Sequence, residues 1–206
     1  MDPFHYISIL IAKLHGGVVE QKEICVNGKS AQVYYVNDES WGSAGQGLSF
    51  THIILNRAHL EDKPDFVHNF IFLHEFGHKQ WRWPLQIFFD IAQISYIITL
   101  FVFVRSSPVF ALEAVAQPTI GSSLAYLVGC ALIIVVPLTI TWFDEGYAET
   151  YAISKIGYST YLEIQKISEK TSRTVLERLR SRVMYPPEAL ILAAYRYRNN
   201  GIETDT

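Results

Sequence analysis

Residues 74–78 read His74-Glu75-Phe76-Gly77-His78, the pattern H-E-x-x-H. On a helix, residues four apart stand one turn apart on the same face, so both imidazoles can reach one Zn2+ at ~2.0–2.1 Å. Glu75, next to the first imidazole, is placed to take a proton from water at that ion. Zinc lowers the pKa of such a water toward ~7, so hydroxide becomes available near neutrality. Phe70, Ile71, Phe72 and Leu73 supply an apolar wall ahead of the motif, and Gly77 leaves room beside the metal. The competing explanation is a pair of structural histidines on an amphipathic helix.

A catalytic zinc takes three protein ligands and keeps one position open. The search for the third leads to the elements around the motif. Leu85–Val104 has no Lys, Arg or Glu, and Ser122–Phe143 has no charge at all. At ~1.5 Å per residue, 20 residues reach ~30 Å, the thickness of a bilayer core. A domain this small cannot easily enclose two helices that are apolar on every face. The expectation is a two-helix membrane hairpin. Gln86, Asp90 and Gln93 would share one face of the first span, and Ala125 and Gly129 would allow close helix contact on the second. Lys79 and Arg82 before the hairpin and Lys155 after it, against Arg105 alone in the connecting loop, place both termini and the active site on the cytoplasmic side. Glu113 in that loop then lies across the membrane from His74 and His78. The chain returns at Asp144-Glu145-Gly146-Tyr147-Ala148-Glu149. Glu145 and Glu149 stand i, i+4, so one can bind zinc while the other buttresses the site. Two exposed carboxylates favoured by the dipole of a helix start are the alternative.

Composition fits this picture. Of 206 residues, 50% are hydrophobic and 18% charged, against roughly 25% charged in an ordinary soluble domain. The mean hydropathy is +0.15. So much apolar surface excludes global disorder. The formal net charge of −3 gives no nucleic-acid signature, so no nucleic-acid partner is expected. Two cysteines, Cys25 and Cys130, are too few for a disulfide scaffold or a thiolate zinc site and are expected to be free. Met1-Asp2-Pro3 carries no basic region, and Ile7–Ala12 is too short for a secretory leader.

Residues 4–15 predict a short helix stopped by Gly16-Gly17. Ala31–Val36 and Phe50–Leu55 predict strands on either side of a Gly/Ser-rich stretch, Trp41–Ser49. Pro64 opens a helix from about Asp65 to Trp81. Eight of the 17 Lys and Arg lie between Lys166 and Arg198, which suits anionic lipid heads or a solvated helix face equally. The expected fold class is a mainly α integral membrane protein with a small β element. Residues 1–84 would carry the zinc helix, 85–143 the membrane hairpin, and 144–206 the helical half with the third ligand.

These features together resemble the membrane-embedded gluzincin metallopeptidases of the HtpX and CAAX-prenyl-endopeptidase type. That family runs strand, strand, H-E-x-x-H helix, membrane hairpin, then a helix bearing E-x-x-A-D. Ile53-Ile54-Leu55-Asn56-Arg57 through His78 is similar to its entry to the zinc helix. Glu145-Gly146-Tyr147-Ala148-Glu149 is similar to its ligand helix, and Tyr185-Pro186-Pro187 to a Pro-rich turn near its C-terminus. The similarity covers roughly residues 31–190. It implies a zinc helix paired with a ligand helix, interrupted by the hairpin. It also implies His74, His78 and Glu145 as ligands of one Zn2+ per chain, and Glu75 as general base. Glu149 replaces the family's supporting Asp, one methylene longer. The family's arginine after the Pro-rich turn is unmatched, Ile191 standing about there. Tyr195, Arg196 and Arg198 are the candidates for stabilising an oxyanion. The N-terminal hairpin of HtpX is missing.

The implied function is a zinc-dependent, membrane-bound endopeptidase that hydrolyses peptide bonds with metal-activated water at the cytoplasmic face. Its partners would be a protein or peptide substrate and the lipid bilayer, its location the cell membrane as a multi-pass protein. The substrate would bind extended along an edge strand, for which Trp41–Ser49 is the candidate. The alternatives are a site-2-type intramembrane metalloprotease and a non-catalytic zinc-binding membrane scaffold. Asp65, His68, Asn69, Lys79 and Gln80 crowd the motif too closely for a lipid-buried helix. Intact Glu75 argues against a scaffold, which needs no base.

Overall fold

A computed structural model of the chain describes residues 3–47, 51–80, 120–170 and 185–203. Helix α1 (Pro3–Leu14) leads into a hairpin of β1 (Glu20–Val26) and β2 (Lys29–Val36). The two residues between them, Asn27 and Gly28, have φ of 50° and 72°. Positive φ at both positions is what a tight hairpin turn needs, and Asn-Gly meets it at least cost. β3 (Gly45–Gln46) and β4 (Ile53–Asn56) complete a four-stranded sheet in the order β1-β2-β4-β3. β2 pairs antiparallel with β1 and parallel with β4, in the register Val33↔Ile53 to Val36↔Asn56. β3 runs antiparallel to β4 and ends the sheet. The short α2 (Arg57–Leu60) and then α3 (Asp65–His78) follow. Helix α4 (Ile120–Ile156) is joined through Gly157, at φ 88°, to α5 (Tyr158–Lys170), and α6 (Glu188–Glu203) comes last.

The sheet is covered on both faces, which explains why β2 and β4 are apolar at consecutive positions. Val33, Tyr35, Ile53 and Leu55 point to one side and join Phe70 and Leu73 of α3, Tyr151 and Ile153 of α4, and Tyr161 of α5. Tyr34, Val36 and Ile54 point to the other and meet Ala12 of α1. Each fully buried Val, Leu or Ile here contributes about 1.5–3 kcal/mol. Buried Asn56, at the end of β4, holds the connection to β3. Its side chain accepts from the Asp38 N–H at 3.1 Å and donates to the Asp38 carbonyl at 2.7 Å.

The chain divides into two compact units, one of Met1–Trp81 with Asp144–Thr206 and one of Arg82–Phe143. The sheet belongs to the first.

Three expectations are corrected. The fold is α/β, built on a four-stranded mixed sheet, and not mainly α with a small β element. The sheet is central because both of its faces are buried. Among the described residues, no helix is long and apolar enough to cross a membrane. That finding overturns the membrane hairpin of the expected fold class, the transmembrane assignment and the multi-pass placement. The first apolar run, Leu85–Val104, lies outside the described residues, as do Gln86, Asp90, Gln93 and Glu113. The second, Ser122–Phe143, does not stop as a separate rod. It continues as one helix through Asp144, Glu145 and Glu149 to Ile156, and apolar length alone could not reveal that continuation. Smaller differences also appear. β1 was not expected, and α3 ends at His78 rather than Trp81. Cys25 is free and exposed.

Candidate metal site

Helix α3 buries His74, Glu75 and Gly77 together with Phe70, Phe72 and Leu73. Its spacing puts the two imidazoles one turn apart, with ring centres 5.0 Å apart and planes at 84°. Their Nε2 atoms face each other at 3.3 Å. From α4, Glu145 Oε2 comes within 3.3 Å of His74 Nε2 and 4.0 Å of His78 Nε2. A tetrahedral ion with bonds of ~2.0–2.1 Å separates its ligand atoms by about 3.3 Å. The three atoms thus stand close to the spacing that one ion imposes. Glu145 Oε2 is buried and accepts no hydrogen bond, a costly state for a carboxylate oxygen unless a cation completes it. His74, His78 and Glu145 form a group that can hold a metal ion.

The helices can meet this closely because of Gly77. A Cβ there would lie 2.8 Å from Ala148 Cα and 3.0 Å from Ala148 O on α4. On the other side of α3, β3 and the residue after it press on Glu75. A Cβ on Gly45 would lie 2.9 Å from Glu75 Oε1, and one on Gly47 would overlap the Glu75 carbonyl.

The imidazole nitrogens that face away from the triangle each meet a carboxylate of α4. His74 Nδ1 faces Glu149 Oε2 at 3.0 Å, off the line of an aligned hydrogen bond. His78 Nδ1 lies 3.1 Å from Asp144 Oδ2. Such partners fix which ring nitrogen keeps its proton and leave the other lone pair for a metal. Sequence reasoning missed Asp144. The signal was present, since two histidines need two supporting acceptors and residues 144–149 offer three carboxylates.

Of the oxyanion candidates, Tyr195 stacks on Tyr158 with ring centres 6.2 Å apart and Arg196 is exposed. The side chain of Arg198 lies outside the described residues, and Ile191, where the family's arginine would stand, is buried in the core.

In the metal-free chain, burial pulls the His74 pKa down, but the nearby Glu145 and Glu149 outweigh it and hold the pKa well above the ordinary imidazole value. His78 is likewise lowered by burial and raised further by Asp144, with a net rise. Burial raises Glu75, and the neighbouring imidazoles offset this only in part. All three groups therefore hold protons more tightly folded than unfolded. The stability this confers is complete below their unfolded pKa values and is lost as pH rises through the folded ones. A metal reverses the sign at the imidazoles, because it must displace their protons. The Tm difference between Zn2+-loaded and chelator-treated protein is expected to widen as pH rises from about 5 to about 8. A difference that stays constant over that range would remove the imidazoles from the ligand set.

Comparisons with protein-family models, with curated proteins and with solved structures find no match to this chain.

Proposed function

We propose that this chain is a zinc-dependent endopeptidase. The observation that carries the reading is the triangle of His74 Nε2, His78 Nε2 and Glu145 Oε2, with Glu75 in the same turn of α3. Two imidazoles and one carboxylate suit Zn2+ among the common divalent ions. The resemblance of the H-E-x-x-H and Glu145–Glu149 helices to gluzincin metallopeptidases supports the same ion and the same chemistry.

Bound there, Zn2+ supplies Lewis acidity, acidifying water and polarising a peptide carbonyl. The chain's own residues do the rest. His74, His78 and Glu145 hold the ion, while Glu149 and Asp144 orient the two rings. Glu75 takes the proton from water and returns it to the leaving amine. Its burial moves its proton affinity toward neutrality, which suits a group that must both accept and release. β3 ends the sheet with Gly45 against the Glu75 carboxylate. An extended peptide adding to that edge would bring its carbonyls past the base.

The test is Glu75→Gln. Casein or peptide-library cleavage is expected to fall by about 10²–10⁴-fold, with zinc content by elemental analysis unchanged from wild type. Unchanged cleavage overturns the proposal. A wild-type protein that holds zinc and cuts no peptide is a zinc-binding protein without turnover.

A further inference from the structure

β3 is two residues long and pairs with β4 through Gly45↔Leu55 and Gln46↔Ile54. So short a strand has too little ladder of its own to hold its place. Ahead of it, residues 37–44 form neither helix nor strand. That connection is nonetheless closed around one side chain, the fully buried Asn56 at the end of β4. Its Nδ2 donates to the Asp38 carbonyl at 2.7 Å and to the Trp41 and Ser43 carbonyls at 3.4 Å each. An amide NH2 carries two hydrogens, so one serves Asp38 and the two longer contacts share the other. Asn56 Oδ1 accepts from the N–H of Asp38 at 3.1 Å and of Ala58 at 3.3 Å. The Asn56 backbone N–H donates to the Ala44 carbonyl at 2.8 Å. His59 of α2 adds a ring nitrogen on the Trp41 carbonyl at 2.6 Å.

From Ser43 the path to the base is short. Ser43 Oγ donates to the Gly45 carbonyl at 2.7 Å, and a Cβ on Gly45 would stand 2.9 Å from Glu75 Oε1. We propose that Asn56 is a positioning residue for the substrate, fixing the β3 edge on which an extended peptide lies beside Glu75. The inference rests on the peptidase reading and on its edge-pairing mode. A peptide added to a sheet edge is held by main-chain hydrogen bonds of fixed direction, and a displaced edge misaligns them together. The edge holds the peptide in the ground state and the transition state alike, so its loosening is read in KM rather than in kcat. Asn56 also caps α2 through Oδ1. Capping needs only the oxygen, whereas the three loop carbonyls need the NH2.

The test uses the Zn2+-loaded full chain. Asn56→Ser keeps a capping oxygen and adds no charge, and it replaces the NH2 by one short hydroxyl. It is expected to raise KM for an extended peptide about tenfold, with kcat changed by less than about threefold, and to leave zinc content unchanged. Amide hydrogen exchange is expected to quicken at residues 41–46 and to stay as in wild type along β1 and α3. Ser43→Ala, at a half-buried position, is expected to raise KM in the same direction by about threefold. A purely structural Asn56 would lower the Tm and leave KM unchanged, and that result overturns the proposal. Loss of zinc together with kcat overturns it as well, since the effect would then lie at the metal and not at the edge. Should Asn56→Ser fail to fold, Ser43→Ala decides alone, and a wild-type KM there overturns the proposal. Zn2+-loaded wild-type protein that cuts no peptide defeats the peptidase reading, and the substrate role of Asn56 with it.

Discussion

Purified Glu145→Gln protein is expected to carry no stoichiometric zinc, whereas Glu149→Gln keeps zinc with an affinity about 10–100-fold weaker. The two residues stand one turn apart on α4 and have the same side chain, yet the geometry separates them. Glu145 Oε2 is buried, without a hydrogen bond, and points at both Nε2 atoms. Glu149 Oε2 points at the back of one ring only. An amide at 145 removes the anionic donor and presents a neutral oxygen or an NH2 to the two nitrogens that face the ion. An amide at 149 still places an oxygen beside His74 Nδ1 but loses its charge. Elemental analysis and competition with a chromophoric chelator separate the outcomes. Zinc retained in Glu145→Gln and lost in Glu149→Gln would exchange the two roles.

Gly77→Ala is expected to destabilise the protein by about 1–3 kcal/mol and to weaken metal binding together with it. In an isolated helix, Gly→Ala stabilises by up to about 1 kcal/mol. Here the new methyl carbon would stand 2.8 Å from the backbone of Ala148, which cannot rotate away. The helices must separate, and the separation is transmitted directly to the site, because His74 and His78 lie on one and Glu145 on the other. Gly146→Ala is the comparison. Its added carbon would meet only Pro186 Cγ, at an ordinary 3.5 Å, so a gain of up to about 1 kcal/mol is expected. Chemical denaturation of both variants, with and without zinc, measures the contrast. Equal stabilisation by the two would show that the α3–α4 contact is loose.

The chemistry was more legible than the fold. His74, Glu75 and His78 stand out because metal ligation restricts residue type, and the helix repeat restricts spacing. Glu145 and Glu149 stand out for the same reason. The route from one helix to the other was not legible. An apolar run such as Ser122–Phe143 announces its length and not its destination, and membrane topology supplied an argument for Glu145 that helix packing now replaces. β1 escaped because Glu20–Val26 is polar and mostly exposed, although Asn27-Gly28 marked its turn. The sheet's central position escaped because Val33, Tyr34, Tyr35 and Val36 do not alternate in polarity, since opposite sides of the strand meet different helices. Asp144 meets His78 only through tertiary packing, and no local pattern distinguishes it from an ordinary acid on a helix.

One ion gripped by α3 and α4 would have a consequence for the whole chain. His78 and Glu145 are separated by roughly 70 residues, so a shared ion closes a loop of that length as a cross-link does. Loop-closure entropy for such a ring is worth about 4 kcal/mol against the unfolded chain. The ion would then be a reversible staple as well as a reagent, and chelation would cost the protein a long-range tether along with its chemistry.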